Sequence, residues 1–170
     1  MYIPVATSTG EAPTAWRYET GDAALISADG YLRLLGREGN ALNVAGRRLG
    51  TREIEAAIIG IDGIAEAAVV GVDGPRSDTA LYAYVTAKRD AGSAGPLRER
   101  VRTAVAAAIG RFATPDVVVF TPDLPKTRSG KVLRRHLRQI ASGERVSDTE
   151  PLRNPEIVGE LESIVNGVSE

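Results

Sequence analysis

The run Leu81-Tyr82-Ala83-Tyr84-Val85-Thr86-Ala87 alternates, with Leu81, Ala83, Val85 and Ala87 on one face and Tyr82, Tyr84 and Thr86 on the other. A period of two suits a pleated strand and no helix. A second apolar run, Ala67 to Val72, precedes it, and helical periods lie on either side. Ile54, Ala57, Ile58 and Ile61 form one apolar stripe, and Leu97, Val101, Ala104, Val105, Ala108 and Ile109 form another. Thr51 is expected to cap the first helix, with Glu53 and Glu55 in the opening turn where the helix dipole favours acid. Val117 to Phe120 reads as a short strand. Lys131 to Ala141 reads as a third helix, with Leu133, Leu137 and Ile140 inward and Arg134, Arg135 and Arg138 outward. Upstream, Ala23 to Ile26 and Tyr31 to Leu35 flank Asp29-Gly30, a hairpin signal. The order strand–strand, helix, strand, strand, helix, strand, helix predicts an α+β fold, a small sheet carrying helices.

Composition narrows the chemistry. The 170 residues contain no cysteine, which excludes a thiol nucleophile, a cysteine-ligated metal and a disulfide framework. The single histidine, His136, excludes a His-pair metal site and leaves little room for a Ser-His-acid triad. No metal site is expected. The chain offers no apolar run of about 18 residues and no basic-then-apolar leader, so a cytoplasmic protein without membrane contact is expected. A net charge of −1 argues against nucleic acid as a partner, as does the absence of any aromatic residue between Leu124 and Gly143 to stack on bases.

Of 21 basic residues only Lys88, Lys126 and Lys131 are lysines. Two of these share the segment Pro125-Lys126-Thr127-Arg128-Ser129-Gly130-Lys131. A lysine on a mobile, glycine-bearing loop delivers a compact point charge into an anionic site, where arginine offers a broad fork. Read from physics alone, the same segment is also a solvated basic helix start. Other signals are weaker. Gly36, Gly39, Gly46 and Gly50 do not fall into a dinucleotide fingerprint, and Gly130-Lys131 lacks the flanking residues of a P-loop. Gly36 to Gly50 reads as a flexible stretch rich in glycine and arginine.

Several blocks carry a family resemblance. They are Tyr18-Glu19-Thr20-Gly21-Asp22, Asp29-Gly30-Tyr31, Gly36-Arg37, the run Asn43 to Glu55, and Pro125 to Lys131. In this order and spacing, Tyr18 to Glu144 resembles the C-terminal part of AMP-forming acyl-CoA synthetases of the adenylate-forming superfamily, most like the acetyl- and propionyl-CoA synthetases. The resemblance implies a division into a flexible lead-in (1–17), a β-hairpin remnant of the large domain (18–38), a C-terminal lid domain with a small mixed sheet flanked by helices (39–143), and an acidic tail (144–170). That tail contains a candidate docking helix along Ile157, Leu161, Ile164 and Val165.

The resemblance also implies roles. Asp22 and Arg37 would bind the ribose of ATP or AMP, and Arg48 would meet phosphate in one lid orientation. Lys131 would be the catalytic lysine that stabilises charge on the α-phosphate and carboxylate. Gly39 takes the hinge position, where the family usually has aspartate. Ala45 and Gly46 lie on the CoA or thiol side, with Ala45 in place of the family serine and Arg47 in place of its histidine. Ala106 and Ile61 replace two further family residues, an arginine near CoA and a histidine near a cation. ATP with Mg2+, held mainly by a large N-terminal adenylation core, is the implied cofactor set. CoA or a phosphopantetheine arm is the implied acceptor, the latter bringing a carrier protein as partner. The expected function is therefore a stand-alone lid subunit serving such a core in trans. The alternative is a noncatalytic interaction or regulatory module that docks through Ile157 to Val165.

Overall fold

The computed structural model describes residues 2–4, 16–18, 22–37, 41–74 and 79–168. The chain divides into two compact units, Met1–Ala41 and Leu42–Glu170. In the first unit, strands β1 (Tyr2–Pro4) and β2 (Trp16–Tyr18) pair antiparallel. Strands β3 (Asp22–Ile26) and β4 (Leu32–Arg37) form the hairpin expected around Asp29-Gly30. Its turn is closed by hydrogen bonds from Gly30 N–H to the Ser27 carbonyl and from Ser27 N–H to the Tyr31 carbonyl, both 2.9 Å. Gly30, at φ 85°, occupies the left-handed region that a side chain disfavours. Within the lead-in, Tyr2–Pro4 is paired strand. Three residues are too few to show a readable alternation.

Strand β5 (Ala41–Val44), which enters the second unit at Leu42, pairs with β6 (Arg47–Gly50) across the two-residue Ala45–Gly46 turn. The expectation of a flexible stretch over Gly36 to Gly50 is thus corrected at its C-terminal half. Ala45 at φ 50° and Gly46 at φ 72° supply the two positive angles that a tight hairpin needs to match strand twist. Helix α1 (Thr51–Ile59) follows without a loop. Gly50, still extended, takes the N-cap place, so Thr51 is the first helical residue and caps nothing. Its hydroxyl is buried without a hydrogen-bond partner among the described residues.

Strand β7 (Ile64–Asp73) pairs antiparallel with β8 (Thr79–Ala87), and helix α2 (Ala94–Ala108) leads through a 3-10 turn (Arg111–Ala113) to β9 (Val117–Phe120). β9 lies parallel to β8, with Tyr82 opposite Val117 and Val85 opposite Phe120. A parallel neighbour needs a crossover long enough to return the chain, and α2 is that crossover. The result is the mixed sheet β7-β8-β9.

Both faces of this sheet are covered, and the alternation separates them. Val69, Leu81, Ala83, Val85 and Val118 pack with Ile54 and Ile58 of α1 and Val101 and Val105 of α2. Ala68, Val70, Tyr84 and Val119 pack on the opposite side with Leu137 and Ile140 of α3 (Arg134–Ala141) and with Ile157, Leu161 and Val165 of α4 (Glu156–Val168). Tyr84 is fully buried, and its hydroxyl donates to the Leu137 carbonyl at 2.9 Å, fixing α3 to the sheet.

The apolar stripe of the last helix is therefore not a docking surface for another protein. Ile157, Val158, Leu161 and Val165 complete this unit's own second core. The helix expected at Ile157 to Val165 exists, but the even face of the sheet left too much apolar area for α3 alone to cover. Burying one such leucine or valine contributes about 1.5–3 kcal/mol.

The sheet edges are closed by side chains. Glu55 accepts the Val69 N–H of edge strand β7 at 2.8 Å and forms a two-pronged pair with Arg134. This corrects two expectations, since Glu55 is a buried tie rather than a helix-start acid and Arg134 turns inward to meet it. At the other edge, Arg98 and Arg102 of α2 donate to the carbonyls of Val118 and Asp116. Such capping removes the pairing liability of an open strand. Among the described residues no helix is long and apolar enough to cross a membrane.

Candidate functional site

The lysine segment forms a closed loop between β9 and α3. Lys126 and Val132 face each other in an isolated antiparallel bridge, and Leu133 N–H donates to the Pro125 carbonyl at 2.8 Å. Inside that stem, Thr127 N–H donates to the Lys131 carbonyl (2.9 Å) and Gly130 N–H to the Thr127 carbonyl (2.9 Å). The Thr127 hydroxyl accepts the Lys131 N–H at 3.1 Å. Gly130, at φ 83°, makes the reversal that lets the chain return. These bonds occupy the backbone through Leu133, so α3 begins at Arg134 rather than at Lys131 as expected. The loop is a braced turn and not the mobile segment that its composition suggested.

The two lysines of this loop have opposite environments. Lys126 is 7% exposed, and its ammonium lies 2.5 Å from Glu66 and 2.8 Å from Asp123. Burial by itself would push the Lys126 pKa down, but the hydrogen bonds and charges of Asp123 and Glu66 outweigh it and hold the group above the ordinary lysine value. Burial likewise tends to raise Asp123, and the hydrogen bond from Lys126 overcomes it to keep that carboxyl below its ordinary range. Lys131 is exposed, and no carboxylate among the described residues lies within ion-pair distance of it. Lys126 is thus spent on structure while Lys131 keeps a charge to present.

The remaining expected residues fall on two hairpins. Arg48 lies exposed on β6, beside Arg47, whose guanidinium sits 4.6 Å from the centre of the Phe112 ring. Ala45 and Gly46 form the exposed tip between β5 and β6. In the first unit the β3–β4 register sets Asp22 directly opposite Arg37. Gly39, the expected hinge, lies outside the described residues, as does most of the lead-in. Among the described residues no group of three or more His, Asp or Glu is placed to hold a metal ion.

Sequence reasoning missed the residues that brace the loop. Asn154, 8% exposed, accepts the Lys126 N–H (3.1 Å) and donates to Asp123 (3.0 Å) and to the Leu124 carbonyl (2.9 Å). Arg153 N–H donates to the Lys126 carbonyl at 2.9 Å, and Leu152 bridges to Thr127. Nothing in Leu152-Arg153-Asn154, held between Pro151 and Pro155, signals contact with a segment more than twenty residues upstream.

Residues 53–131 match the family model for the AMP-binding enzyme C-terminal domain. The chain is 46% identical over 144 residues to the acetyl-coenzyme A synthetase of Gemmatimonas aurantiaca, a match that covers 85% of this chain and 22% of that enzyme. Among solved structures it is similar to ATP-bound MatB from Rhodopseudomonas palustris, at TM-score 0.60 and 29% identity over 71% of this chain and 23% of that one. It is also similar to the anthranilate CoA ligase AuaEII in complex with anthranoyl-AMP, at TM-score 0.63 and 27% identity over 73% of this chain and 24% of that one. The chain therefore spans about a fifth to a quarter of the length of these relatives.

Proposed function

This chain carries the C-terminal domain of the AMP-forming acyl-CoA synthetases, and on that premise we propose that it serves in trans as the lid of a large adenylation core, to which it delivers Lys131. The observation that supports this reading is the contrast between the two loop lysines. Lys126 is buried and neutralised by two carboxylates, whereas Lys131 stands exposed at the end of a braced turn.

The reaction assigned is activation of a carboxylic acid. A carboxylate oxygen attacks the α-phosphorus of ATP, the new O–P bond forms, and the α–β bridging P–O bond breaks with its electron pair leaving on pyrophosphate. Negative charge builds on the α-phosphate oxygens and on the carboxylate, and the Lys131 ammonium stabilises it. Asp22 and Arg37 hold the ribose, and Arg48 meets phosphate in one lid orientation. Mg2+ would reduce the charge of the phosphates on the core side. A thiol of CoA or of a carrier's phosphopantetheine then displaces AMP, with the Ala45–Gly46 hairpin tip turned to the acceptor and Gly39 as the hinge of the swing. The setting is the cytoplasm.

The test is ATP–pyrophosphate exchange by an acetyl-CoA synthetase core truncated before its own C-terminal domain, with this chain added. Stimulation that Lys131→Ala lowers to a residual level, by roughly a hundredfold for loss of one transition-state charge contact, is expected. No stimulation, or stimulation that survives the substitution, refutes the reading.

A further inference from the structure

We propose that Asn154 is a positioning residue for Lys131, and that the segment 152–154, beyond the matched residues 53–131, is the fixed support of the lysine loop. This rests on the reading above for its kinetic part only. The support runs through continuous contacts. Asn154 binds the backbone N–H of Lys126, and Arg153 N–H binds the carbonyl of the same residue. Leu152 bridges to Thr127, and Thr127 in turn holds Lys131 through both its backbone N–H and its hydroxyl. Lys126 is thus gripped at its N–H, its carbonyl and its ammonium, and the turn that follows it presents Lys131.

The chemistry of the site accounts for a carboxamide at this position. The Lys126 N–H is a buried donor and needs an acceptor, while the Asp123 carboxylate and the Leu124 carbonyl need donors. One side chain that accepts and donates at once answers all three, which neither aspartate nor leucine does. The functional need is also physical. A lysine side chain is long and flexible, so its charge is delivered accurately only if its backbone is held. A misplacement of about 1 Å costs on the order of a hundredfold in rate.

The experiment combines hydrogen exchange on the full chain with pyrophosphate exchange in the presence of the truncated core. Asn154→Ala is expected to speed exchange at the Thr127, Gly130 and Lys131 amides by about tenfold or more, as expected for loss of local protection. At saturating substrate the rate should fall by roughly 10- to 100-fold with KM for ATP unchanged. The same substitution in a Lys131→Ala background should cost nothing further, which a merely structural role would not produce. Thr127→Val removes only the hydroxyl under Lys131 at a loop position and carries the same test if Asn154→Ala does not fold. Its expected loss is about 3- to 10-fold, again absent in the Lys131→Ala background. Loop amides that exchange as in the wild type overturn the proposal. So does a rate loss that persists in full without Lys131. If the wild-type chain does not stimulate the core at all, the functional reading fails, and the loop amides alone decide whether Asn154 fixes the loop.

Discussion

Removing the Glu55 carboxylate should destabilise the second unit more than any exposed charge, and the cost can be built from its partners. Glu55 accepts the Val69 N–H at 2.8 Å and pairs with Arg134 through both oxygens, at 2.8 Å each, with side chains 9% and 24% exposed. Deleting one member of a buried pair costs about 3–5 kcal/mol. The partial exposure of Arg134 lets its guanidinium regain some water and favours the lower end, about 3 kcal/mol. The orphaned Val69 N–H adds about 1–3 kcal/mol. Glu55→Ala should therefore cost about 4–6 kcal/mol, the sum of those terms. Glu55→Gln keeps an acceptor for Val69 and should cost only about 1–3 kcal/mol, for a bond to a charged group made neutral.

The decisive variant is the double substitution Glu55→Met with Arg134→Met. It leaves no uncompensated charge, so only the Val69 penalty of about 1–3 kcal/mol should remain. Urea unfolding followed by far-ultraviolet circular dichroism measures all three, because the single tryptophan, Trp16, lies in the other unit. If the double variant loses as much as Glu55→Met and Arg134→Met, measured singly, added together, the residues are not coupled and the reasoning fails.

Three further outcomes are expected. Burial, and then the Arg135 guanidinium, hold the His136 pKa below its ordinary 6.5 despite the opposing Asp148, so the folded chain binds this proton less readily than the unfolded chain. Stability should be full above pH 6.5 and should decline as pH falls below it, and His136→Leu should flatten that decline in urea midpoints measured across the range. Ala45 carries a positive φ of 50° in a turn that favours asparagine before glycine, so Ala45→Asn should stabilise the hairpin by about 0.5–1 kcal/mol, read as a higher thermal midpoint. Leu161 is fully buried on α4, so Leu161→Ala should cost about 2–5 kcal/mol; a change below 1 kcal/mol would place α4 outside the core.

The elements that were legible in the sequence are those whose side chains repeat with a backbone period. The alternation across Leu81 to Ala87 predicted a strand with two distinct faces; that both are packed, with Ala83 and Tyr84 in different cores, came from the fold. The stripe Ile54, Ile58, Ile61 and the strand Val117 to Phe120 were legible for the same reason. The loop lysines were legible through their scarcity and their motif, yet which of them keeps a presentable charge was not. That depended on Glu66, some sixty residues away, reaching the Lys126 ammonium.

The first turn of α1, the start of α3 and the fate of the last helix all differ from the sequence reading, each because a neighbouring piece of structure took precedence over the local signal. Gly50 arrived extended from β6 and displaced Thr51 from the cap. The bridge between Lys126 and Val132 delayed α3. The uncovered face of the sheet drew in α4.

By itself, then, the sequence determined the α+β order, the two-faced sheet, the hairpin around Asp29-Gly30 and the segment that holds Lys131. The first three follow from local periodicity and turn chemistry, which act over a few residues, and the last from the scarcity of lysine and its motif. Only the tertiary structure decided that Lys126 is buried and Lys131 is not, that Glu55 closes a sheet edge against Arg134, and that Asn154 grips the lysine loop. Those are pairings of charges and hydrogen bonds across the fold, and their energies depend on burial and distance that no local pattern encodes.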